Sequence, residues 1–331
     1  MKASGFILAL TYWLLAAPLH SQDAPPSADE TLEFPDLIAS GKSNTTVGTF
    51  RAARYDFVLC AGRDSPDPPP GRQIDEIEPG VSAGAYNNRI TAAVIRGIDA
   101  TDAGSAARRS VLTVAEDAYV LALKKDPQFF PFLHNLGRVK LLLNLPEQAL
   151  SYLALARSRL PEFAIGYLLM GRAHARLNDG LSAVENFRTA YRKNPFDPTA
   201  LVALGDFYLE SGAFPQSRDA YERILKQFPD NAQARIGLGR LHMQKAEFFR
   251  ARSYFESVRT QNIDGSWRDD YDRALHFYLA EVCTNLKDYK EALRQYDRML
   301  EHPEDPFFLD HSLALLKKRR EVVQKLAAEQ R

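Results

Sequence analysis

Three arginines in this 331-residue chain each follow a glycine inside an apolar run: Gly137-Arg138, Gly171-Arg172 and Gly239-Arg240. A guanidinium presents a planar fork of donors that can take a carboxylate through two parallel hydrogen bonds. A glycine before it either lets a turn grip such a group closely or marks a place where two helices touch. Spacing bears on that choice. Gly137, Gly171, Gly205 and Gly239 follow one another at a fixed interval of 34 residues, and only Gly205 is followed by an acid, Asp206.

Other stretches that could carry chemistry do not hold together. "ASGKS" at Ala39 to Ser43 resembles the end of a phosphate loop, but Asp36 stands where the earlier glycine is required, and no strand-to-helix context surrounds it. "NIDGSWRDDYD" is acidic enough to suggest calcium, yet its oxygen spacing does not fit the twelve-residue loop. It reads instead as a solvated insertion, with Trp267 tucked against the body or offered to a partner. The seven histidines are dispersed. Cys60 and Cys283 lack a CxxC or CxxH neighbour, which argues against zinc. Export would permit them to pair, but Cys283 falls on a buried helical face, where a free thiol acts as a small apolar side chain. No nucleophile, base and orienting acid can be assigned, so the expectation is no catalytic residue, no cofactor and no metal.

The elements that must position the arginines come from the rest of the chain. With 45% apolar and 25% charged residues, it is globular and can bury a core as one elongated or two compact domains. Lysine plus arginine equals aspartate plus glutamate at 42 each, so no overall basic field draws nucleic acid or an anionic membrane. Residues 1–21 place Lys2 before an apolar run from Phe6 to Leu19, the layout of a secretory signal. Pro18 interrupts the run, and its length is short for a span, so cleavage near Ser21 is expected. The destination is then periplasmic or secreted; an uncleaved membrane anchor is the alternative. No cysteine follows to carry a lipid.

Residues 22–82 are expected to be a poorly ordered segment and proline-rich linker. Within them Asn44-Thr45-Thr46 is a glycan acceptor in a glycosylating cell and otherwise a chance match. "VGTFRAARYDFVLCAG" alternates and could make a strand or dock against the body, whereas the prolines of "RDSPDPPPGRQIDEIEPG" lock φ and remove donors. From residue 83 the phasing is helical. Leu133, Leu136, Gly137, Ala149, Leu153 and Ala156 fit two amphipathic helices joined near Asn144, with Pro146 in the first turn of the second. A shift of 34 gives Tyr167, Met170, Gly171, Ala183, Phe187 and Ala190; the next gives Leu201, Leu204, Gly205, Ser217, Tyr221 and Ile224. Pro127, Pro161, Pro195 and Pro229 keep the same step.

This pattern resembles the tetratricopeptide repeat family, whose 34-residue helix-turn-helix unit carries these residue types at these offsets. The resemblance covers residues 83–305 and implies an all-α, right-handed α-solenoid of about six repeats, with residues 306–331 as a C-terminal capping helix. Its glycines let the paired helices approach, while Leu153, Phe187, Tyr221 and Phe255 fill the space between neighbouring repeats. His174 and His242 occupy the repeat's tyrosine position, which favours packing over metal binding. Two departures stand out. The helix within "AYNNRITAAVIRGID" is misphased and reads as an N-terminal cap, and Ala292 follows Ala251 by 41 residues, an insertion of seven.

The family's first helices line a concave groove that binds peptide segments. Carried onto this chain, the inward positions are His134, Asn135, Arg138, Leu168, Arg172, Val202, Asp206, Ile236, Arg240, Phe277, Tyr278 and Glu281. Arg138, Arg172 and Arg240 could hold an acidic group or a C-terminal carboxylate of a protein or peptide partner; equally, Arg172, Asp206 and Arg240 alternate in sign and could neutralise one another. The lysine-and-asparagine clamp of chaperone-binding members is absent, since its positions hold Ile165, His134, Arg138 and Leu169. Two functions remain: a noncatalytic exported scaffold, for envelope assembly or secretion, or an enzyme-associated or ligand-binding protein whose site is completed by residues 48–90.

Overall fold

Five of the helix hairpins turn the same corner. Asn144, Asn178, Gly212, Ala246 and Lys287 all have φ between 58° and 72°, and the next N–H bonds back to the carbonyl five residues earlier at 2.8–2.9 Å. This is the left-handed cap that satisfies the orphan carbonyls of a helix end. Four of these corners keep the 34-residue step, and the fifth falls 41 residues on, where the sequence places its insertion. Asp179 and Asp288 then cap the following helices by accepting N–H bonds from Ser182 and Glu291. Pro146 and Pro215 occupy first turns that need no donor.

Only Gly212 meets its corner without a Cβ, so Ala246 at φ 58° carries a steric cost of about 1–2 kcal/mol. Glycine removes that cost but gains about 0.5–1 kcal/mol of unfolded-chain entropy. We expect Ala246→Gly to stabilise the protein by about 0.5–1 kcal/mol. Urea unfolding at unchanged m checks this, and a loss of stability would show that the corner is not strained.

The computed structural model describes residues 50–53, 56–60, 81–101, 105–258, 265–300 and 311–330. The expected signal, the Asn44 sequon, the "ASGKS" stretch and the proline-rich linker lie outside them. The chain forms two compact units that part between Ala200 and Leu201.

The first unit holds the antiparallel hairpin of β1 (Phe50–Ala53) and β2 (Phe57–Cys60) and three helix pairs. These are α1 (Ala83–Asp99) with α2 (Ala106–Lys125), α3 (Phe130–Leu142) with α4 (Pro146–Arg159), and α5 (Ala164–Arg176) with α6 (Gly180–Lys193). α7 (Thr199–Glu210) starts two residues before the division. Its body, α8 (Phe214–Gln227), α9 (Ala232–Gln244), α10 (Phe248–Glu256), α11 (Gly265–Asn285), α12 (Tyr289–Met299) and α13 (His311–Glu329) belong to the second unit. The fold is thus an all-α solenoid of six helix pairs and a terminal helix among the described residues, with one small β-hairpin added.

The recurring glycines answer to packing. A Cβ on Gly137 would lie 2.7 Å from Leu153, on Gly171 2.6 Å from Phe187 and on Gly205 2.6 Å from Tyr221, too close for any side chain. Tyr221 also presses on Gly237 of the next pair, and the Phe255 ring stacks on Tyr278 at 5.3 Å. Tyr221 and Phe255 therefore do bridge neighbouring repeats.

One sequence expectation gains structure and one needs correction. From Gly265 the backbone of the acidic stretch around Trp267 is helical, and the added residues lengthen α11 to 21 residues. Within the segment expected to be poorly ordered, β2 is seated on the first unit, with Phe57 and Val58 fully buried.

Candidate functional site

Strand β2 lies on the inward helix faces of the first unit, held through its backbone. In an antiparallel pair, alternate residues point their N–H and C=O groups away from the partner strand. Val58 and Cys60 do so here, and each meets an asparagine. Asn135 of α3 accepts from the Val58 N–H at 2.7 Å and donates to the Val58 carbonyl at 2.9 Å. Asn88 of α1 accepts from the Cys60 N–H at 2.8 Å and donates to its carbonyl at 2.7 Å. Each amide thus replaces a third strand.

The asparagines are themselves fixed. Asn87 donates to the Val58 carbonyl at 2.9 Å, Asn135 donates to Asn87 Oδ1 at 2.9 Å and to Thr91 Oγ1 at 3.1 Å, and Thr91 meets the Tyr119 hydroxyl at 2.8 Å. Asn87, Thr91, Tyr119 and Asn135 are all fully buried, so this network is satisfied at depth. Phe57 packs among α1, α2 and α3, and Val58 among Phe130, Leu133, Ala156 and Phe163. Burying both side chains contributes about 4 kcal/mol before ordering costs.

Asp56, at φ 62°, opens β2 with its carboxylate against Arg172, and Arg138 stands 4.0 Å away. Burial pushes the Asp56 pKa up, but Arg172 and Arg138 outweigh it and hold the group below the usual carboxylate range. His134 Nε2 donates to the Asp56 carbonyl at 3.0 Å, which fixes the neutral tautomer and leaves Nδ1 without a partner among the described residues.

Burial pulls the His134 pKa down to about 4, although the Asp56 carbonyl and charge work the other way. An unfolded imidazole titrates near 6.5, so the stability that neutral His134 contributes is complete above 6.5 and is lost progressively as pH falls towards 4. The Asp56 shift adds a further loss only around and below its ordinary value of 3.8. Going from pH 7 to pH 5 should cost the first unit about 2 kcal/mol. His134→Gln, which keeps a donor without the titration, should remove most of that slope in urea unfolding. Equal slopes would assign the acid sensitivity elsewhere.

The other inward candidates fare differently. His134, Asn135 and Arg138 were expected to face a partner; they instead lie beneath the chain's own strand, because Phe57 and Val58 offer more apolar surface than the linker composition suggests. Leu168 is buried, and Arg172 keeps 34% of its side chain exposed.

In the second unit Arg240 donates to Asp206 at 2.6 Å, and the Tyr221 hydroxyl donates to the same oxygen at 2.8 Å. The alternating charges do neutralise one another at Asp206 and Arg240, whereas Arg172 takes Asp56. Ile236 is buried and Val202 partly exposed. Phe277, Tyr278 and Glu281 are not an open surface either. Arg319 of α13 bonds Glu281 and lies 5.5 Å above the Phe277 ring, while Leu316 and Val323 bury in the same core.

His174 and His242 close helix corners, pairing with Asp179 at 3.1 Å and Glu247 at 2.7 Å. Both thiols are free, and burial pushes Cys60 up to about 12 and Cys283 up to about 11, so neither is a thiolate at neutral pH. Among the described residues no cluster of three metal-ligating side chains occurs, and no helix is long and apolar enough to cross a membrane.

Sequence reasoning missed Asp56, Asn87, Asn88 and Thr91. The available signal was two asparagines and a threonine in an otherwise apolar helix, where such residues disfavour the interior unless their side chains are bonded.

The sequence profile of the tetratricopeptide repeat matches residues 134–198, 168–232, 202–266 and 236–307, which join without a gap over more than half of the chain. The chain is similar to the protein CTR9 homolog of Arabidopsis thaliana, 28% identical over 137 residues, which cover 40% of this chain and 12% of that protein's length. In fold it is similar to yeast Tom70, at a TM-score of 0.54 and 16% identity over 77% of this chain and 48% of Tom70. It is also similar to a tetratricopeptide repeat protein from Parabacteroides merdae, at 0.50 and 16% identity over 73% of this chain and 88% of the other. Six helix pairs, five of them closing on the same left-handed corner, matched by that profile across more than half the residues, make this protein a member of the tetratricopeptide repeat family.

Proposed function

We propose that this protein is an exported, noncatalytic scaffold that binds an extended segment of a protein partner on the inward faces of its helix pairs, in assembly or secretion at the cell envelope. The carrying observation is the seating of β2: the inward face of the first unit accepts an extended chain and satisfies its backbone with side-chain amides. That is how a groove recognises a strand without depending on every side chain. The reading as export rests on residues 1–21, whose charge and apolar run have the signal layout. Within residues 48–90, Phe57 and Val58 reach the inward face and fill it, which favours a chain over a small ligand as occupant.

The inward candidates that keep the most accessible surface include Arg172 in the first unit and Val202 and Asp206 in the second. A photo-crosslinking residue at Val202, in protein recovered from the exported fraction, should capture one defined partner. The same residue at Leu181, which is 89% exposed, should capture none. Equal capture at both positions removes the inward face as the docking surface. Mass measurement of the mature protein tests export: loss of residues 1–21 is expected, and an intact N-terminus in the cytosol refutes it.

A further inference from the structure

We propose that Asp56–Cys60 is a resident mimic of the partner, and that the first unit reads an extended segment ordered acidic, aromatic, aliphatic, any residue, small, which takes the site by displacing β2. This rests on the reading above that inward faces bind extended chains. Every contact that seats β2 is one that a separate chain could make. Arg172 and Arg138 take the acid, the α1–α3 core takes the aromatic ring, and Phe130, Leu133, Ala156 and Phe163 take the aliphatic side chain. Asn135 and Asn88 bind the backbone two residues apart, at the aliphatic and small positions. At the fifth position α1 comes close to the strand through a residue without a side chain, since a Cβ built on Gly84 would stand only 3.2 Å from Cys60 Cβ.

The resident strand is also placed to leave. Twenty-two residues of sequence lie between Cys60 and Ala83, so releasing β2 does not require α1 to move. The acid end sits at the rim, with 24% of the Asp56 side chain and 34% of the Arg172 side chain exposed, which lets a competitor engage the guanidinium before the apolar positions exchange. A tethered occupant acts at an effective concentration on the order of millimolar. A partner segment of equal intrinsic affinity therefore does not compete at micromolar concentration. One that carries further contacts, or that meets a weakened resident strand, does.

The probe is a fluorescent synthetic peptide of residues 54–62, titrated against the full chain and against full-chain Asp56→Lys. The substitution reverses a rim charge and leaves Asn88, Asn135 and Arg172 in place; circular dichroism and thermal unfolding confirm that the helices persist. Asp56→Asn serves as a milder second variant. Binding should tighten by about tenfold or more in Asp56→Lys, less in Asp56→Asn, and a peptide with lysine in place of its aspartate should not bind.

No binding to any of the three proteins at millimolar peptide, or binding that ignores both the variant and the peptide's acid, overturns the proposal. Its failure is separable from that of the scaffold reading, because crosslinking at Val202 reports on the second unit without involving β2. Capture at Val202 with no peptide binding sinks only the mimic. Peptide binding with equal capture at Val202 and Leu181 sinks only the wider reading.

Discussion

Asp206→Ala should destabilise the second unit by about 3 kcal/mol, against the 0–1 kcal/mol of an exposed pair such as Arg192–Glu185. The difference is burial. Arg240 is 3% exposed, its Nη1 is 2.6 Å from Asp206, and its Nε finds no partner among the described residues. Removing the carboxylate leaves a guanidinium in the core and takes the acceptor from the Tyr221 hydroxyl as well. The reverse change is milder. In Arg240→Met the Asp206 side chain, already 24% exposed, can rehydrate, so the loss should be about 1–2 kcal/mol. The double variant should recover much of the Asp206→Ala loss, since an apolar pair replaces an ion pair of marginal net value. Urea unfolding of the three variants measures all of this, and an Asp206→Ala loss below about 1 kcal/mol would mean that solvent reaches Arg240.

What the sequence made legible is what repeats. The 34-residue step of Gly137, Gly171, Gly205 and Gly239 led to the helix pairs, and the same step placed Leu153, Phe187, Tyr221 and Phe255 opposite those glycines. Both follow from one close approach made again and again. Among the inward positions, His134, Asn135 and Arg138 all meet the same short strand segment. What periodicity could not carry is occupancy. β2 reaches Asn135 across 77 residues of sequence, and its recognition lies in side-chain amides bonding a backbone, which leaves no hydrophobic pattern. In α1, Asn87 and Asn88 spend helix positions on the strand, and Thr91 spends one on Asn135. At the other end, α13 was legible as a cap, but not its hold on Glu281 through Arg319, which no residue spacing announces.

Asn135→Leu, nearly isosteric, should cost about 4 kcal/mol and should show that loss first at the strand. Four hydrogen bonds end at this one amide, and all four partners are buried or bonded backbone. The Val58 carbonyl keeps Asn87 at 2.9 Å and Thr91 Oγ1 keeps the Tyr119 hydroxyl at 2.8 Å, but the Val58 N–H and Asn87 Oδ1 lose the partner that satisfies them. At about 1–3 kcal/mol for each buried group left unmade, the penalty rivals the apolar gain from seating Phe57 and Val58. Because the two are comparable, the variant relieves its unpaired groups by letting β2 go while the helix pairs persist. Hydrogen exchange should then accelerate at the Val58 and Cys60 amides ahead of the amides of α3. Asn88→Ala, at the partly exposed end, should cost about 1 kcal/mol and quicken exchange at Cys60 alone. If Val58 stays as protected in Asn135→Leu as in the parent, the asparagine is not what holds the strand, and side-chain burial alone seats it.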